Sequence, residues 1–155
     1  MDMILSEDYR KPFVFFWITL LYRQNNYHKH GVLVHTLKVV YAVLKAKDYG
    51  FLAAAFLHDI GKPFVAYQRA KDKLQNIYKF TAHEEKSYEM IKNWLFISDW
   101  TKQIVRYHFI ITDMKRTKDT DLEKYEKLEN IWNNFDKNFQ EDLERFLKYD
   151  NFGKI

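Results

Sequence analysis

Residues 53–63 read Ala-Ala-Ala-Phe-Leu-His-Asp-Ile-Gly-Lys-Pro, and this stretch decides the fold of the chain. Its apolar first half, with three consecutive alanines, is typical of a helix buried in a protein interior. Gly61 and Pro63 then stop the helix, which therefore carries His58 and Asp59 at its C-terminal end. Because an ionised carboxylate in such a dry place needs a partner, this pair is the first candidate for a functional centre.

The composition of the whole chain favours helices. The 155 residues suit one domain, which we expect to extend over residues 1–155. Hydrophobic residues make up 47% and charged residues 30%, as in globular rather than disordered proteins. Four glycines and two prolines are too few for the many turns of a β-sandwich or a barrel. We therefore predict a compact, single-domain, all-α helical bundle.

Hydrophobic periodicity indicates where the helices lie. Thr81, with Glu84 three residues later, forms a capping-box pattern at the start of the fourth helix, and Ser98 is a predicted cap of the fifth. The stretch from Phe64 to Thr81 has room for one short hairpin or an ordered loop, and the charged stretch from Thr112 to Thr120 is predicted to be a loop. The approximate helix bounds are 9–23, 31–47, 51–59, 82–96, 99–111, 122–135 and 139–147.

Several protein classes are disfavoured by composition. The chain has no cysteine, which excludes disulfides and thiolate metal sites and suits a reducing cytoplasm. The longest apolar run, Phe13 to Tyr22, is too short to cross a bilayer and lacks the cleavage site of a signal peptide, so we expect no membrane partner. The net charge of +4 mildly favours anionic ligands but is too small to predict stable binding of duplex nucleic acid.

The pair at the end of the apolar helix suits metal chemistry. Histidine and aspartate are both good ligands for Zn, Mn, Fe or Mg. Lys62 follows within reach as a point charge for a phosphate group. The alternative for His58 and Asp59 is a hydrogen-bonded structural pair in the core, without a function.

The order of histidines and aspartates along the chain resembles the HD-domain superfamily of metal-dependent phosphohydrolases. The family pattern is a His on an early helix, the His-Asp doublet, often two further His, and a late Asp. Besides the doublet, the matching residues are His35 in Val-His-Thr-Leu, His83 in Phe-Thr-Ala-His-Glu-Glu, His108 in Arg-Tyr-His and Asp150 in Leu-Lys-Tyr-Asp. The string His-Asp-Ile-Gly-Lys-Pro and the His-Glu segment are most similar to the HD domain of bacterial CCA-adding tRNA nucleotidyltransferases, which we expect to stand alone here.

This resemblance implies a site for one or two divalent metal ions, drawn from Mn, Ni, Co, Mg, Zn and Fe. Its implied ligands are His35, His58, Asp59, His83, His108 and Asp150. A second ion would be held by His83 and His108, with Asp59 bridging the two ions. The alternatives are a hydrogen-bonded core His35, an exposed His83 at a helix start, a core His108 and a helix-end Asp150.

The resemblance also implies hydrolysis of nucleotide phosphate esters by a 2′,3′-cyclic phosphodiesterase, nucleotidase or phosphatase. The substrate would be a nucleotide or the phosphate at an RNA end. We expect catalytic roles for Asp59 and Lys62, and substrate contacts for Lys62, His28 and Arg106. Two other functions fit the same residues: a di-iron oxygenase of this superfamily, and a non-catalytic HD module that binds nucleotides.

Overall fold

The computed structural model describes residues 3–4, 31–68 and 78–154, and most of these residues are helical. The helix predicted over residues 9–23 lies outside the described residues, as does His28. The predicted all-α class is confirmed. The helices are α1 (Val32–Ala46), α2 (Leu52–Leu57), α3 (Lys62–Val65), α4 (His83–Ile91), α5 (Asp99–Tyr107), α6 (Ile110–Thr117), α7 (Leu122–Asn133) and α8 (Lys137–Lys154).

Two very short strands accompany the helices. Strand β1 (Met3–Ile4) pairs antiparallel with β2 (Tyr67–Gln68), a pairing that the sequence did not predict. Tyr67 also exchanges two backbone hydrogen bonds with Lys79, at 3.0 and 2.9 Å. This antiparallel pair is what the predicted short hairpin requires, although residues 69–77 between the two partners lie outside the described part.

Helix α2 is short and lies in the interior of the bundle. It packs against both α1 and α5, and α8 packs against the same two helices. Ala54 and Ala55 are completely buried, because their small side chains let neighbouring helices approach closely. The other fully buried apolar side chains come from the helices around α2: Val39, Val43, Ile91, Ile104, Val105 and Phe146. The residues that follow α2 are therefore delivered to the centre of the bundle.

The predicted capping box at Thr81 is wrong, whereas the predicted cap at Ser98 is confirmed. Helix α4 begins after Ala82, which adopts the left-handed conformation with φ of 57° and makes no side-chain cap. The Thr81 hydroxyl lies 3.1 Å from the Tyr67 hydroxyl instead, so a tertiary hydrogen bond replaces the local cap. Ser98 accepts a hydrogen bond from the backbone N–H of Thr101 at 3.1 Å.

The predicted loop from Thr112 to Thr120 is also wrong over most of its length, because α6 continues to Thr117. Its charged composition concealed an amphipathic helix. Ile110 is buried and Met114 packs against the hydrophobic core, while Lys115 and Arg116 lie on the exposed face.

Candidate metal centre

The six residues predicted as metal ligands come together in the middle of the bundle. Each is at most 6% exposed, although none has an apolar side chain. His35 lies on α1, the doublet directly follows α2, His83 begins α4, His108 follows α5 and Asp150 lies near the end of α8. Residues far apart in sequence therefore meet because five helices end at, or pass, the same point.

Four ligand atoms form one group, here called the first half-centre: His35, His58, Asp59 and Asp150. The Nε2 atoms of His35 and His58 are 3.1 Å apart, and Asp59 Oδ2 lies 3.3 Å from each of them. Asp150 Oδ1 lies 3.0 Å from His35 Nε2 and 3.7 Å from His58 Nε2. Donor atoms that bind one metal ion at about 2.1 Å lie roughly 3.0–3.4 Å apart, so the spacing of His35, His58 and Asp59 suits a shared ion, with Asp150 beside them.

The other oxygen of Asp59 faces a second group, here called the second half-centre: Asp59, His83 and His108. Asp59 Oδ1 lies 3.3 Å from His83 Nε2 and 4.0 Å from His108 Nε2. These three buried residues bring their ligand atoms within metal-binding range of one another. One carboxylate thus contributes an oxygen to each half-centre.

Three of the histidines are held in the tautomer that metal binding requires. A backbone carbonyl can only accept a hydrogen bond, so the ring nitrogen Nδ1 that contacts it carries the hydrogen. Whenever such a ring is neutral, the lone pair that can bind an ion is therefore on Nε2, the nitrogen on the side of Asp59. The Nδ1 atoms of these rings donate at 2.7–3.0 Å to the residue three positions earlier: His58 to Ala55, His83 to Phe80 and His108 to Val105.

Asp59 is a buried anion with coordination capacity to spare. Burial opposes its ionisation, but the positive charges of His58 and Lys62 outweigh that effect and hold the pKa of Asp59 well below its ordinary value. The Lys62 ammonium forms an ion pair with Oδ2 at 2.6 Å. Neither oxygen accepts a directed hydrogen bond within the described part of the chain. A carboxylate of this kind fits a divalent ion as a ligand.

The remaining ionisable groups also suit cation binding. Burial opposes ionisation of Asp150, but the hydrogen bond from His35 and the charge of Lys154 hold its pKa well below the ordinary value. Burial and the nearby charges of His58 and His83 lower the pKa of His108 to about 3, so this ring is neutral near pH 7. Burial lowers the pKa of His58 as well, but Asp59 and Asp150 outweigh it and raise that pKa overall.

The family comparison agrees with this geometry. A family model described as the HD domain matches residues 32–138, about two thirds of the chain. The chain belongs to the HD-domain family. HD domains are generally metal-dependent hydrolases, and the buried His/Asp groups of this one could hold a metal ion. No curated protein and no solved structure gives a significant match.

The matched segment of the HD domain does not include the whole centre. It contains five of the six predicted ligands and ends before Asp150, which the structure brings to His35 and His58 through α8.

Among the described residues, no helix is both long enough and apolar enough to cross a membrane.

Two residues around the centre of the HD domain have roles that sequence reasoning missed. Ser87 is fully buried and contacts the turn that contains Asp59 through two hydrogen bonds. Gly153 leaves room for His35, because a Cβ atom there would lie 2.7 Å from His35 Nδ1. The sequence signals were spacing alone: Ser87 lies one helical turn after His83, and Gly153 lies nearly one turn after Asp150.

The cationic residues predicted to contact the substrate of the HD domain lie in different settings. Lys62 is buried, with its ammonium beside Asp59 and 5.6 Å from the ring centre of Phe80. Arg106 makes two hydrogen bonds to the carboxylate of Glu85, at 2.9 and 3.0 Å. A substrate contact by Arg106 stays a prediction, and this ion pair gives the residue a structural role in joining α5 to α4.

Proposed function

We propose that this chain is a single HD domain that acts as a divalent-metal-dependent phosphohydrolase on nucleotide phosphate esters. The observation that carries the proposal is the position of Asp59, which has one oxygen toward each of two buried histidine groups. One carboxylate shared in this way is suited to two ions held close together, an arrangement that many phosphate-cleaving enzymes use.

The ligands divide between two ions in the proposed centre. The residues of the first half-centre would hold one ion, and those of the second would hold the other, with Asp59 common to both. Ions bound there would lower the pKa of coordinated water and offset charge on the phosphoryl oxygens. The protein's own contribution is to fix the ligands, since hydrogen bonds orient His58, His83 and His108 before any ion binds.

Lys62 is the residue that we propose to contact the phosphate. Its ammonium is buried beside Asp59, where water screens its charge little. A positive charge in this position stabilises the negative charge that develops on phosphoryl oxygens during cleavage.

The rim of the second half-centre supports a nucleotide substrate. The half-buried ring of Phe109 packs edge-on against His83, with ring centres 5.6 Å apart. The guanidinium of Arg116 lies 5.0 Å from the centre of the same ring. An aromatic face and an arginine beside a candidate phosphate site suit a base and a further anionic group.

We propose a 2′,3′-cyclic phosphodiesterase, nucleotidase or phosphatase as the specific activity, with a nucleotide or an RNA-end phosphate as the substrate. This choice is supported by the similarity of the string His-Asp-Ile-Gly-Lys-Pro and the His83-Glu84 segment to the HD domain of CCA-adding enzymes.

Hydrolysis by chelator-stripped protein tests the proposal. Mn, Ni, Co or Mg is added back singly to a panel of 2′,3′-cyclic nucleotides, 2′-, 3′- and 5′-monophosphates and dNTPs. Asp59→Asn removes the shared charge at nearly constant volume, and Asp119→Asn makes the same change at an exposed position. We expect metal-dependent turnover that is lost in Asp59→Asn and retained in Asp119→Asn.

No turnover with any metal and any ester would refute the phosphohydrolase. Iron in the protein as isolated, together with oxygen consumption, would then indicate the di-iron oxygenase. Folded protein that binds nucleotides without turning them over would indicate the non-catalytic module.

A further inference from the structure

A single buried hydroxyl joins two of the three parts of the chain that carry the second half-centre, the turn with Asp59 and helix α4 with His83. Ser87 lies on α4, one turn after His83, and is fully buried. Its hydroxyl donates a hydrogen bond to the backbone carbonyl of His58 at 2.8 Å. The same oxygen accepts a hydrogen bond from the backbone N–H of Gly61 at 2.9 Å.

Both of these backbone groups flank Asp59 in the turn that follows α2. A carbonyl at the end of a helix has no partner within the helix, and a buried backbone group must be paired elsewhere. Ser87 satisfies a donor and an acceptor with one atom, because a hydroxyl both donates and accepts. The turn is therefore attached to α4 on each side of Asp59.

The backbones of the turn and of α4 are also in direct contact. A Cβ atom added at Gly61 would lie 2.5 Å from both the carbonyl oxygen of His83 and the backbone nitrogen of Ser87. Glycine permits this approach, and the Ser87 hydroxyl fixes its register. The 3.3 Å distance between Asp59 Oδ1 and His83 Nε2 is measured across this junction.

The first half-centre is assembled differently. His35 and Asp150 lie on α1 and α8, and neither helix takes part in the hydrogen bonds of Ser87. His58 is fixed by its own hydrogen bond to Ala55 within the region of α2. Loss of the Ser87 hydroxyl releases the turn from α4, which carries a ligand of the second half-centre and none of the first, so we expect the spacing of the second to change more.

We infer that Ser87 is a positioning residue that sets the second half-centre against Asp59 and thereby determines the affinity for the second ion. This inference rests on the proposed function, because it requires a centre that binds two ions. Substituting residues that orient metal ligands usually lowers metal affinity about 10–100-fold.

Calorimetric titration of chelator-stripped protein with Mn²⁺ tests the inference without using activity. In Ser87→Ala we expect the affinity for the second ion to fall about 10–100-fold and the affinity for the first ion to change much less. Ser87→Cys keeps the shape of the side chain with a somewhat larger atom and weakens both hydrogen bonds, so it should act in the same direction and serves if Ser87→Ala does not fold.

Thr117→Ala is the matched control. It removes another largely buried hydroxyl that donates to a backbone carbonyl, that of Asp113 at 2.8 Å, on a helix that supplies none of the six ligands. We expect this variant to bind both ions with the affinities of the unmodified chain.

The titrations separate the two proposals. If the unmodified chain binds two ions and the Ser87 variants bind the second ion with unchanged affinity, the positioning role alone is overturned. The positioning role is also overturned if the Ser87 variants lose affinity for both ions equally and Thr117→Ala loses as much. That pattern would reflect general destabilisation. An unmodified chain that binds no ion would instead refute the proposed function.

Discussion

At Asp59 a buried negative charge is shared among three kinds of partner: the histidines of the first half-centre, those of the second, and Lys62. Burying a charge is costly unless it is paired, and removing one partner of a buried pair typically costs about 3–5 kcal/mol. The lysine therefore has two separable roles, one in folding and one in the contact with phosphate that we propose.

Lys62→Met should destabilise chelator-stripped protein by about 3–5 kcal/mol, since it leaves Asp59 without its ammonium partner. Saturating Mn²⁺ should recover much of that stability by supplying positive charge at the same oxygen, while turnover stays about 10²–10³-fold low. Urea unfolding with and without the ion, alongside steady-state kinetics, measures both effects.

Lys124→Met is the control for this substitution. Lys124 pairs with Asp113 at 2.8 Å but is about half exposed, so its loss should cost at most about 1 kcal/mol and should not respond to Mn²⁺. Equal costs at the two positions would contradict the role of Lys62 as the partner of a buried charge.

At the scale of elements, α8 closes the first half-centre by presenting Asp150 and Gly153 toward α1. Inside a helix, alanine is usually more stable than glycine by about 1 kcal/mol. A Cβ atom at Gly153, however, would lie 2.7 Å from both His35 Nδ1 and Val39 Cγ2. Packing therefore reverses the effect that helix propensity alone would predict.

Gly153→Ala should lower the free energy of unfolding by about 1–3 kcal/mol, because α8 must move away from α1 to accommodate the methyl group. It should also lower the affinity for the first ion, because the added methyl group displaces His35. Gly50→Ala is the control: its Cβ would meet no atom within 4 Å, so we expect a change within about 0.5 kcal/mol. A Gly153→Ala variant that is more stable than the unmodified chain would contradict this prediction, because it would show that α8 and α1 can move apart at little cost.

The sequence predicted α1 well, because the positions of its apolar spacing, such as Val32, Val39 and Val43, are the ones that are buried. The sequence failed where tertiary contacts compete with local signals, as at Thr81, and where a charged face hid an apolar one, as in α6. The six candidate ligands could be proposed because their order follows a known pattern. Ser87 could not, since its partners are backbone groups 26 and 29 residues away along the chain.

At the scale of the whole molecule, the interior of this HD domain holds a cluster of ionisable groups where most domains hold only apolar side chains. Resistance to acid therefore depends on how these groups share protons. His108 is the clearest case, because its pKa in the folded chain is about 3, whereas an unfolded histidine titrates near 6.5.

Between these two values the unfolded chain binds a proton at this position and the folded chain does not, so His108 makes stability decrease as the pH falls. The slope reaches about 1.4 kcal/mol per pH unit below pH 6.5. Urea unfolding of chelator-stripped protein at pH 7, 6 and 5 should show a steeper loss for the unmodified chain than for His108→Gln. Parallel losses would mean that His108 takes up its proton while the protein stays folded.

Because Lys62 neutralises Asp59 from within the chain, the protein need not wait for an ion in order to fold. We expect folding and metal binding to be separate events, with the ion bound by protein that has already folded. Which ion arrives would then reflect what the surroundings supply, since proteins achieve metal selectivity through availability and geometry rather than raw affinity. Protein purified from cultures grown with different metals in the medium should therefore have the same fold and contain different bound metal ions.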